Sequence, residues 1–357
     1  MIHALGFTAG GFQFFKDENG KKYDQIVKIE ERKFNSFTKK FVKFLLPNAL
    51  KQARLHFNCP EIDGVYLEND GNEVGTVGSH WDQLYFYKEL MVGNILSFPG
   101  WGLITDGRDQ ILSIITLGLL EDSGFYKVNF TNAEFLSWGY KFGCEIFNSR
   151  CENWKKENYF CNTPEKESCS SDYFQKSSCK IALYSNNLDF YQHLKEPNLG
   201  GLSVLDYCPF YFPQIQELSN CKLETNNNLT LHKNGQQFGG NSICFRSNLI
   251  KNGNYNPSNL RCFEINCTKI KDKMFKMFVK IENSNFECPD SQTINPVLEG
   301  YSGLIQCPDV NLACEIQISK VDYTLSQIHQ PKKITSSSTK TNLCSYLLWI
   351  FISIIFH

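Results

Sequence analysis

The sequence lacks an excess of charge of either sign. Its 357 residues include 36 Lys and Arg against 37 Asp and Glu, which gives a formal net charge of −1. Proteins that bind the phosphate backbone usually show a basic excess or a basic stripe. The balance therefore gives no electrostatic reason to expect nucleic acid as a partner. Hydrophobic residues make up 42% of the chain, so we expect a packed core rather than global disorder.

The sequence also lacks the spacing that would explain its 15 cysteines in a reduced compartment. No two of them stand in a C-x-x-C pair, which is the usual signal of zinc ribbons and thioredoxin-type sites. We therefore expect a disulfide framework made in an oxidising compartment, with free thiols in a cytosolic protein as the alternative. Fourteen cysteines lie from Cys59 to Cys314, enough for seven pairs whose connectivity stays open, and Cys344 lies beyond them.

A secretory signal is missing at the N-terminus as well. The segment from Met1 to Phe7 has no basic region and leads directly into polar sequence. Three N-x-[ST] sequons, at Asn129, Asn228 and Asn266, nevertheless favour a secreted or cell-surface glycoprotein. We reconcile these observations by expecting that residue 1 is not the natural start and that a signal peptide lies upstream.

The C-terminus carries an apolar tail at 343–356. This tail is shorter than the roughly 17–25 residues that a membrane-spanning helix needs. An apolar tail of about 10–20 residues after small residues is typical of a GPI-attachment signal, and residues 336–338 are all serine. The polar spacer, 339–342, is shorter than the usual pattern, so a short tail anchor is the alternative. Both interpretations predict attachment to a membrane surface through the C-terminus.

Two helices are expected in the N-terminal part, residues 1–137. Residues 48–57 have helical spacing directly after Pro47, a residue that favours the first turn of a helix. The segment 111–120 is apolar on nearly every side, which predicts a buried helix. We therefore expect residues 1–137 to be mainly helical.

The sequence changes in character near residue 138. From 138 to 325, cysteines recur among polar residues with few periodic runs, which is typical of short strands and loops held by disulfides. Residues 326–342 are polar and rich in Ser, Thr and Lys, so 326–357 is interpreted as a linker and the apolar tail. The fold class predicted is α+β, with a helical unit followed by a disulfide-rich strand-and-loop domain.

Three short motifs contain residues suited to metal chemistry: HALGF begins at His3, GSHW contains His80, and ELM ends at Met91. A single histidine at a helix end or in a loop is usually structural. In this order, however, the motifs resemble the leishmanolysin family of zinc metallopeptidases, a branch of the metzincins. The active-site helix of that family carries H-E-x-x-H-A-L-G-F, and its third histidine lies far downstream within G-S-H-W. The resemblance extends through 47–59, 116–126 and 133–144.

This resemblance implies that His3 and His80 are zinc ligands and that Met91 is the methionine of the Met-turn, an apolar floor beneath the metal. It implies one catalytic Zn²⁺ and a metzincin-like catalytic unit in residues 1–137. The activity implied is endoproteolysis of extracellular or surface proteins, with a role in cell adhesion, so the expected partners are protein or peptide substrates.

The motif has a clear chemical basis. Two histidines at i and i+4 of one helix, joined by a third from a loop, hold Zn²⁺ and leave a fourth position for water. The glutamate beside the first histidine accepts the proton of that water and passes it to the leaving amine. Here the first histidine and this glutamate would fall before Met1. Only His3 and His80 remain, without a general base, so we expect this chain alone to be a poor or inactive peptidase.

Two other functions remain open. The chain is alternatively a non-catalytic, cysteine-rich adhesion or binding protein that keeps the scaffold without the active site. A soluble disulfide-rich structural protein is a further alternative, against which the three motifs argue. No catalytic or metal-binding role is predicted for the other candidate residues. His56 is interpreted as structural, Glu121 and Asp122 as carboxylates at a helix end, and three histidines as surface residues: His193, His232 and His329.

Overall fold

The computed structural model describes residues 2–34, 37–69, 77–93, 97–98, 102–103, 111–214, 217–228, 234–253, 258–271 and 274–322. These residues fall into two compact units, one made of 2–93 with 111–144 and the other made chiefly of 145–319. Within the described part of the chain, no helix combines the length and apolar character needed to cross a membrane. The apolar tail at 343–356 lies outside the described residues.

The first unit mixes strands and helices. Its elements are β1 (Val27–Phe34), β2 (Phe37–Phe44), α1 (Pro47–Phe57), β3 (Val65–Leu67), α2 (Gln83–Phe86) and α3 (Ile114–Asp122). The strands form an antiparallel sheet in the order β1-β2-β3, in which Val27 lies opposite Phe44. The expectation of a mainly helical N-terminal part is therefore corrected to a mixed α and β unit.

The β1–β2 hairpin was not predicted from the sequence, because its strands carry many charged side chains. The Lys43 ammonium, only 4% exposed, lies 2.5 Å from Glu30 and 2.6 Å from Asp63. The Arg32 guanidinium lies 4.6 Å from the centroid of the Phe41 ring. Cross-strand pairs of this kind stabilise a sheet whose face is charged rather than apolar. The same residues, read along the sequence, look like a polar loop.

The helix predicted behind Pro47 is confirmed as α1, and its N-terminus is capped from a distance. Leu46, the N-cap residue, makes no side-chain cap hydrogen bond. Instead, the Asp122 carboxylate at the end of α3 accepts hydrogen bonds from the backbone N–H groups of Asn48 and Ala49, both at 2.9 Å. The two helices approach closely, since a Cβ added to Gly118 would lie 2.9 Å from the Cα of Ala49.

The buried helix predicted at 111–120 is observed as α3, but it begins at Ile114. Its N-cap is Ser113, whose Oγ accepts a hydrogen bond from Thr116 N at 3.3 Å. Ile111 instead forms a parallel bridge with Glu89. The apolar pattern therefore identified the buried segment correctly but placed its start too early, because the extended residues before the cap are apolar too.

The second unit is built from short strands and loops. Its strands are β4 (Ser97–Phe98), β5 (Gly102–Leu103), β6 (Glu167–Cys169), β7 (Lys176–Cys179), β8 (Ala182–Leu183), β9 (Leu199–Gly200), β10 (Tyr211–Pro213), β11 (Ser242–Ser247), β12 (Ile250–Lys251), β13 (Leu260–Lys271), β14 (Met274–Ile281), β15 (Ser284–Cys288), β16 (Thr293–Ile294), β17 (Tyr301–Ser302) and β18 (Ile305–Gln306). Two α-helices of the described residues accompany them, α4 (Glu145–Asn148) and α5 (Val310–Asp322).

Two sheets organise this second unit. One has six strands in the order β15-β14-β13-β11-β18-β16, and the other has three in the order β10-β7-β6. Buried apolar and disulfide-bonded residues from both sheets form one core, which includes Phe245, Phe263 and Met277. The prediction of a disulfide-rich strand-and-loop domain is confirmed for this part of the chain.

Seven disulfides join the fourteen cysteines from Cys59 to Cys314, which confirms the predicted number. The first unit holds Cys59–Cys144, and the second holds Cys151–Cys208, Cys161–Cys179, Cys169–Cys244, Cys221–Cys262, Cys267–Cys314 and Cys288–Cys307. Cys344 lies outside the described residues.

Candidate metal centre

His3 lies on a short 3₁₀ helix, Ile2–Leu5, that ends at Gly6. Gly6 has φ +124°, a conformation that favours glycine, and its N–H donates to the carbonyl of His3 at 3.1 Å. The turn brings the Phe7 carbonyl to 2.7 Å from His3 Nδ1. A neutral His3 donates its Nδ1–H there, which assigns the tautomer from geometry and leaves the lone pair on Nε2.

His80 lies on a loop that pairs with the end of β3. Glu68 N donates to the carbonyl of His80 at 2.9 Å, and Gly78 N donates to the carbonyl of Glu68 at 2.8 Å. These two backbone hydrogen bonds form a narrow antiparallel ladder. They fix the main chain on both sides of the imidazole, so the histidine is presented by a rigid loop.

Two contacts join the His3 turn to the His80 loop. Ala9 N donates to Ser79 Oγ at 3.2 Å. The rings of Phe7 and Trp81, both fully buried, have their centroids 4.7 Å apart in an edge-to-face arrangement. Each aromatic residue is close in sequence to one of the two histidines. Their packing therefore sets the separation of the imidazoles, although the loops are far apart in sequence.

The two imidazoles meet through their Nε2 atoms, which are 3.1 Å apart. The ring planes are inclined by 81°. Two nitrogen ligands of a tetrahedral zinc ion, with Zn–N bonds of about 2.0–2.1 Å, are separated by about 3.3 Å. His3 is exposed and His80 is half-buried, so solvent reaches the pair. The arrangement of these two donors therefore fits a shared zinc ion.

A different cluster of potential metal ligands lies in the second unit. Among the described residues, the group of His, Cys, Asp and Glu side chains close enough to share a metal is Cys151, Glu152 and His193. Cys151 is bonded to Cys208, so its sulfur is not available as a thiolate ligand. We therefore exclude this cluster as a thiolate site. No third ligand joins His3 and His80 within the described chain.

Met91 lies next to the His80 loop through the main chain. Trp81 N donates to the carbonyl of Met91 at 2.8 Å, and Trp81 forms a parallel bridge with Val92. Met91 is 4% exposed. The turn that carries the methionine is thus attached to the residue that follows His80.

Glu89, fully buried, holds this turn together. Its Oε1 accepts hydrogen bonds from Ser113 N at 3.1 Å and Ser113 Oγ at 2.8 Å, and a further one from the Thr116 hydroxyl. Its Oε2 accepts from Met91 N. Burial raises the pKa of Glu89, while these four hydrogen bonds act in the opposite direction. The carboxyl group thereby joins the methionine turn to the N-terminus of α3.

The same network reaches the residue beside His80. Trp81 Nε1 donates to Thr116 Oγ1 at 2.8 Å, and that hydroxyl donates to Glu89. In the sequence, Glu89 stands out only as part of the ELM motif, which predicts no role for it. The signal available in the sequence was a glutamate directly before Leu90 and Met91, together with a Ser and a Thr at the start of the apolar helical segment.

The other histidines are structural where they are described. His56 is buried and donates its Nε2–H to the carbonyl of Trp138 at 2.8 Å, in agreement with its structural interpretation. The interpretation of His193 as a surface residue is wrong, because its side chain is 8% exposed and lies 2.6 Å from Glu152. His232 and His329 lie outside the described residues.

His56 should make the first unit sensitive to acid. Burial lowers the pKa of His56 to about 4, below its ordinary value of 6.5. The neutral ring contributes stability that is complete above pH 6.5 and is lost as pH falls towards 4. We expect the free energy of unfolding to fall by about 3 kcal/mol over this range from His56 alone. Chemical denaturation at pH 4.5, 5.5 and 7 should show a weaker pH dependence for His56→Gln; an unchanged dependence would contradict this assignment.

Two of the three sequons present exposed asparagines. Asn228 and Asn266 are exposed, whereas Asn129 is half-buried. The Asn129 Oδ1 accepts hydrogen bonds from Thr131 N at 3.1 Å and Thr131 Oγ1 at 2.7 Å. The exposed pair is therefore more accessible to modification than Asn129 in this folded state. Glu121 and Asp122, interpreted as helix-end carboxylates, both accept backbone hydrogen bonds at the end of α3.

Comparison with known proteins identifies the family of this chain. The sequence matches the profile of the family Leishmanolysin over residues 1–320. It is 25% identical over 390 residues to the leishmanolysin-like peptidase of Drosophila melanogaster, covering 89% of this chain and 55% of that protein. It is 26% identical over 227 residues to leishmanolysin of Leishmania major, covering 60% of this chain and 32% of that protein.

The chain spans about half the length of the curated relatives it matches. The family profile nevertheless covers nearly all of the described residues, from the His3 turn to the end of the second unit. The chain belongs to the leishmanolysin family of metallopeptidases.

Proposed function

We propose that this chain carries part of the catalytic site of a zinc endopeptidase that cleaves extracellular or cell-surface proteins. The observation that supports it best is the 3.1 Å separation of the Nε2 atoms of His3 and His80. The hydrogen bond between His3 Nδ1 and the Phe7 carbonyl leaves Nε2 as the ligand atom, as is usual for metal-binding histidines.

His3 and His80 would hold the Zn²⁺, and Glu89 and Trp81 would fix the loops that present them. When bound, zinc polarises the scissile carbonyl and lowers the pKa of a bound water molecule. Within the described part of the chain, no Asp, Glu or Cys side chain lies close enough to both His3 and His80 to share a metal ion with them. We therefore propose that the 357-residue polypeptide by itself binds zinc weakly and does not cleave peptides.

We further propose a cell-surface or secreted location, with attachment through the C-terminal tail and glycans at Asn228 and Asn266. Cell adhesion would follow from such a location. A non-catalytic, cysteine-rich binding protein is the second candidate, favoured by the six disulfides of the second unit. The two candidates differ in whether a completed site has activity.

Zinc binding tests the ligand assignment. The chain should bind one Zn²⁺ that a chelator removes, and both His3→Ala and His80→Ala should reduce this binding at least tenfold. His193→Gln serves as the control, because its ring is held by Glu152 in the second unit. Equilibrium dialysis with metal analysis measures the stoichiometry and the affinity. Binding that survives both site substitutions would contradict the assignment.

Peptidase activity tests the completed site. A chain extended by a family-type helical segment ending in His-Glu directly before Met1 should cleave a quenched fluorescent protein substrate and stop when chelator is added. The matched control ends in His-Gln, which keeps the added ligand and loses the base. We expect the kcat of this control to be about 10²–10⁴-fold lower than that of the His-Glu extension. Inactivity of both extensions with zinc bound would favour the binding-protein alternative, and equal activity of both would contradict the role proposed for the glutamate.

A further inference from the structure

The hairpin formed by β13 and β14 extends past the buried core of the second unit. β13 begins with four buried residues, 260–263, and ends with four exposed ones, 268–271. β14 begins with an exposed residue, Met274. The described residues at this end of the hairpin, 268–271 and 274–276, are called the hairpin tip. Residues 272 and 273 lie outside the described residues and are not included, and their side chains, one acidic and one basic, cancel in charge.

Two large apolar side chains of the hairpin tip face solvent. Ile270 is 55% exposed and Met274 is 58% exposed. Met274 lies opposite Lys271 and Phe275 lies opposite Lys269, so Ile270 is an extra residue that bulges between the two pairs. Because opposite residues of an antiparallel pair are about 4.5–5.5 Å apart, Ile270 and Met274 are close neighbours. Single exposed apolar residues are common, but neighbouring ones indicate a contact surface.

The hairpin tip also carries positive charge that no described carboxylate compensates. Lys269 and Lys271 are exposed, and neither forms an ion pair with a described residue. The next lysine of the hairpin differs, since the ammonium of Lys276 lies 3.4 Å from the carboxylate of Glu287. The tip therefore presents two uncompensated cations beside two apolar side chains, in a chain whose formal net charge is −1.

The two lysines lie on opposite faces of the hairpin. Met274 and Phe275 are consecutive in β14, so their side chains point to opposite faces, and residues that lie opposite each other share a face. Lys271 therefore shares the face of Met274, and Lys269 shares the face of Phe275. A partner lying against one face of the sheet would contact one lysine, whereas a partner at the end of the hairpin contacts both. The tip is thus suited to a broad surface rather than to a groove.

The length of chain after the second unit favours a lipid bilayer as that surface. Cys267, the residue before the hairpin tip, is bonded to Cys314 of α5, so the tip is attached to the last described helix. α5 ends at Asp322, and residues 323–342 separate it from the apolar tail at 343–356. A linker of this length spans at most about 70 Å. A tail attached to a bilayer, as proposed above, would therefore keep the tip within reach of the same bilayer.

We propose that the hairpin tip binds the surface of an anionic lipid bilayer. Lys269 and Lys271 contact the lipid phosphates, and Ile270 and Met274 enter the interfacial region. Lysines near an anionic surface are attracted to it, and apolar side chains gain by leaving water. A soluble polyanion would engage the lysines alone and leave both apolar side chains in water. The contact is independent of zinc and of peptidase activity, and it adds a second attachment point to the tail.

Cosedimentation of the full chain with vesicles tests the charged part of the contact. One set of vesicles is pure phosphatidylcholine, and the other contains equal parts of phosphatidylcholine and phosphatidylserine. We expect binding to the anionic vesicles to be at least about tenfold tighter, and Lys269→Glu/Lys271→Glu should reduce this ratio to about twofold or less. Lys166→Glu/Lys195→Glu is the matched control, because both lysines are exposed in the same unit and the change in net charge is equal. This control should keep most of the preference.

Ile270→Ser/Met274→Ser tests the apolar part of the contact. This variant should bind the anionic vesicles about fivefold more weakly than the wild type. Val297→Ser, at a position that is 88% exposed in the same unit, should bind them like the wild type.

The two vesicle compositions separate the hairpin tip from the tail. Binding to phosphatidylcholine alone measures the tail attachment proposed above, whereas the ratio between the two compositions measures the tip. Equal binding of the wild type to both vesicles would overturn the proposal, as would equal losses in the two lysine variants. An effect of Lys269→Glu/Lys271→Glu without any effect of Ile270→Ser/Met274→Ser would overturn it in favour of a soluble polyanion.

Discussion

Replacing Glu89 with alanine should lower the free energy of unfolding of the first unit by about 3–5 kcal/mol. The carboxylate accepts hydrogen bonds from two backbone N–H groups, those of Met91 and Ser113, and from two hydroxyls. The hydroxyls can rotate towards other acceptors, but the backbone groups cannot. Each buried N–H left without a partner costs about 1–3 kcal/mol, and the space left by the side chain adds to that cost.

The Glu89→Gln variant keeps the shape of the side chain and changes only its hydrogen bonding. If its amide oxygen takes the position of Oε1, its NH₂ group faces the N–H of Met91, so one hydrogen bond is lost and the loss should be about 1–3 kcal/mol. Glu31→Gln is the matched control, because Glu31 is 57% exposed and lies 3.5 Å from Lys40. Its effect should stay below about 0.5 kcal/mol. Chemical denaturation measures the free energy of unfolding of all three variants. If Glu89→Ala lowers it no more than the Glu31→Gln control does, the central role of this carboxylate is refuted.

Removing the disulfide of the first unit should have a similar effect. Cys59 and Cys144 are 85 residues apart in sequence. In the chain-entropy model, a loop of this length gives about 4–5 kcal/mol of stabilisation, because the cross-link restricts the unfolded chain. Gly143 N donates to the carbonyl of Phe57 at 2.7 Å, so the end of α1 stays in place in the folded protein. The loss in Cys59→Ala/Cys144→Ala should therefore arise mainly in the unfolded state.

Cys288→Ala/Cys307→Ala provides the comparison, because this disulfide spans only 19 residues. The same model gives about 3 kcal/mol for it. Under non-reducing conditions, the free energy of unfolding should therefore fall by about 1 kcal/mol more in Cys59→Ala/Cys144→Ala than in Cys288→Ala/Cys307→Ala. The reverse order would show that strain or residual structure, rather than loop length, sets these energies.

The sequence was sufficient where the cause of structure is local. Pro47 and the spacing after it identified α1 to within one residue. The number of disulfides followed from the cysteines, but the pairing did not, because partners are separated by 18 to 85 residues. The β1–β2 hairpin was missed because Lys43 and Glu30 are neutralised across strands, which no reading along the chain reveals.

The residues of the site were likewise predicted where the signal is local and missed where it depends on distant parts of the chain. The motifs around His3 and His80 name the histidines, but the 3.1 Å contact between them depends on the Phe7–Trp81 packing. Glu89 acts on Ser113 and Thr116, which lie 24 and 27 residues away. The buried position of His193 depends on Glu152, 41 residues away. Sequence patterns thus identify chemical groups, whereas their burial and partners are properties of the folded chain.

The order of the cysteines along the chain bears on how the two units acquire their cross-links during synthesis. The partner of Cys59 is Cys144, the next cysteine in the sequence. A chain that emerges from its N-terminus into an oxidising environment therefore offers Cys59 its native partner first. No cysteine lies between Cys59 and Cys144, so no thiol that emerges between these two competes for the native pairing.

The second unit faces the opposite situation. Cys161, Cys169 and Cys179 all emerge after Cys151 and before its partner Cys208. Pairing in order of appearance would join the wrong sulfurs, and thiol–disulfide exchange must then reshuffle them over seconds to hours. Production of the second unit should therefore depend on a disulfide isomerase or a glutathione redox buffer, whereas closure of the Cys59–Cys144 loop should need only an oxidant.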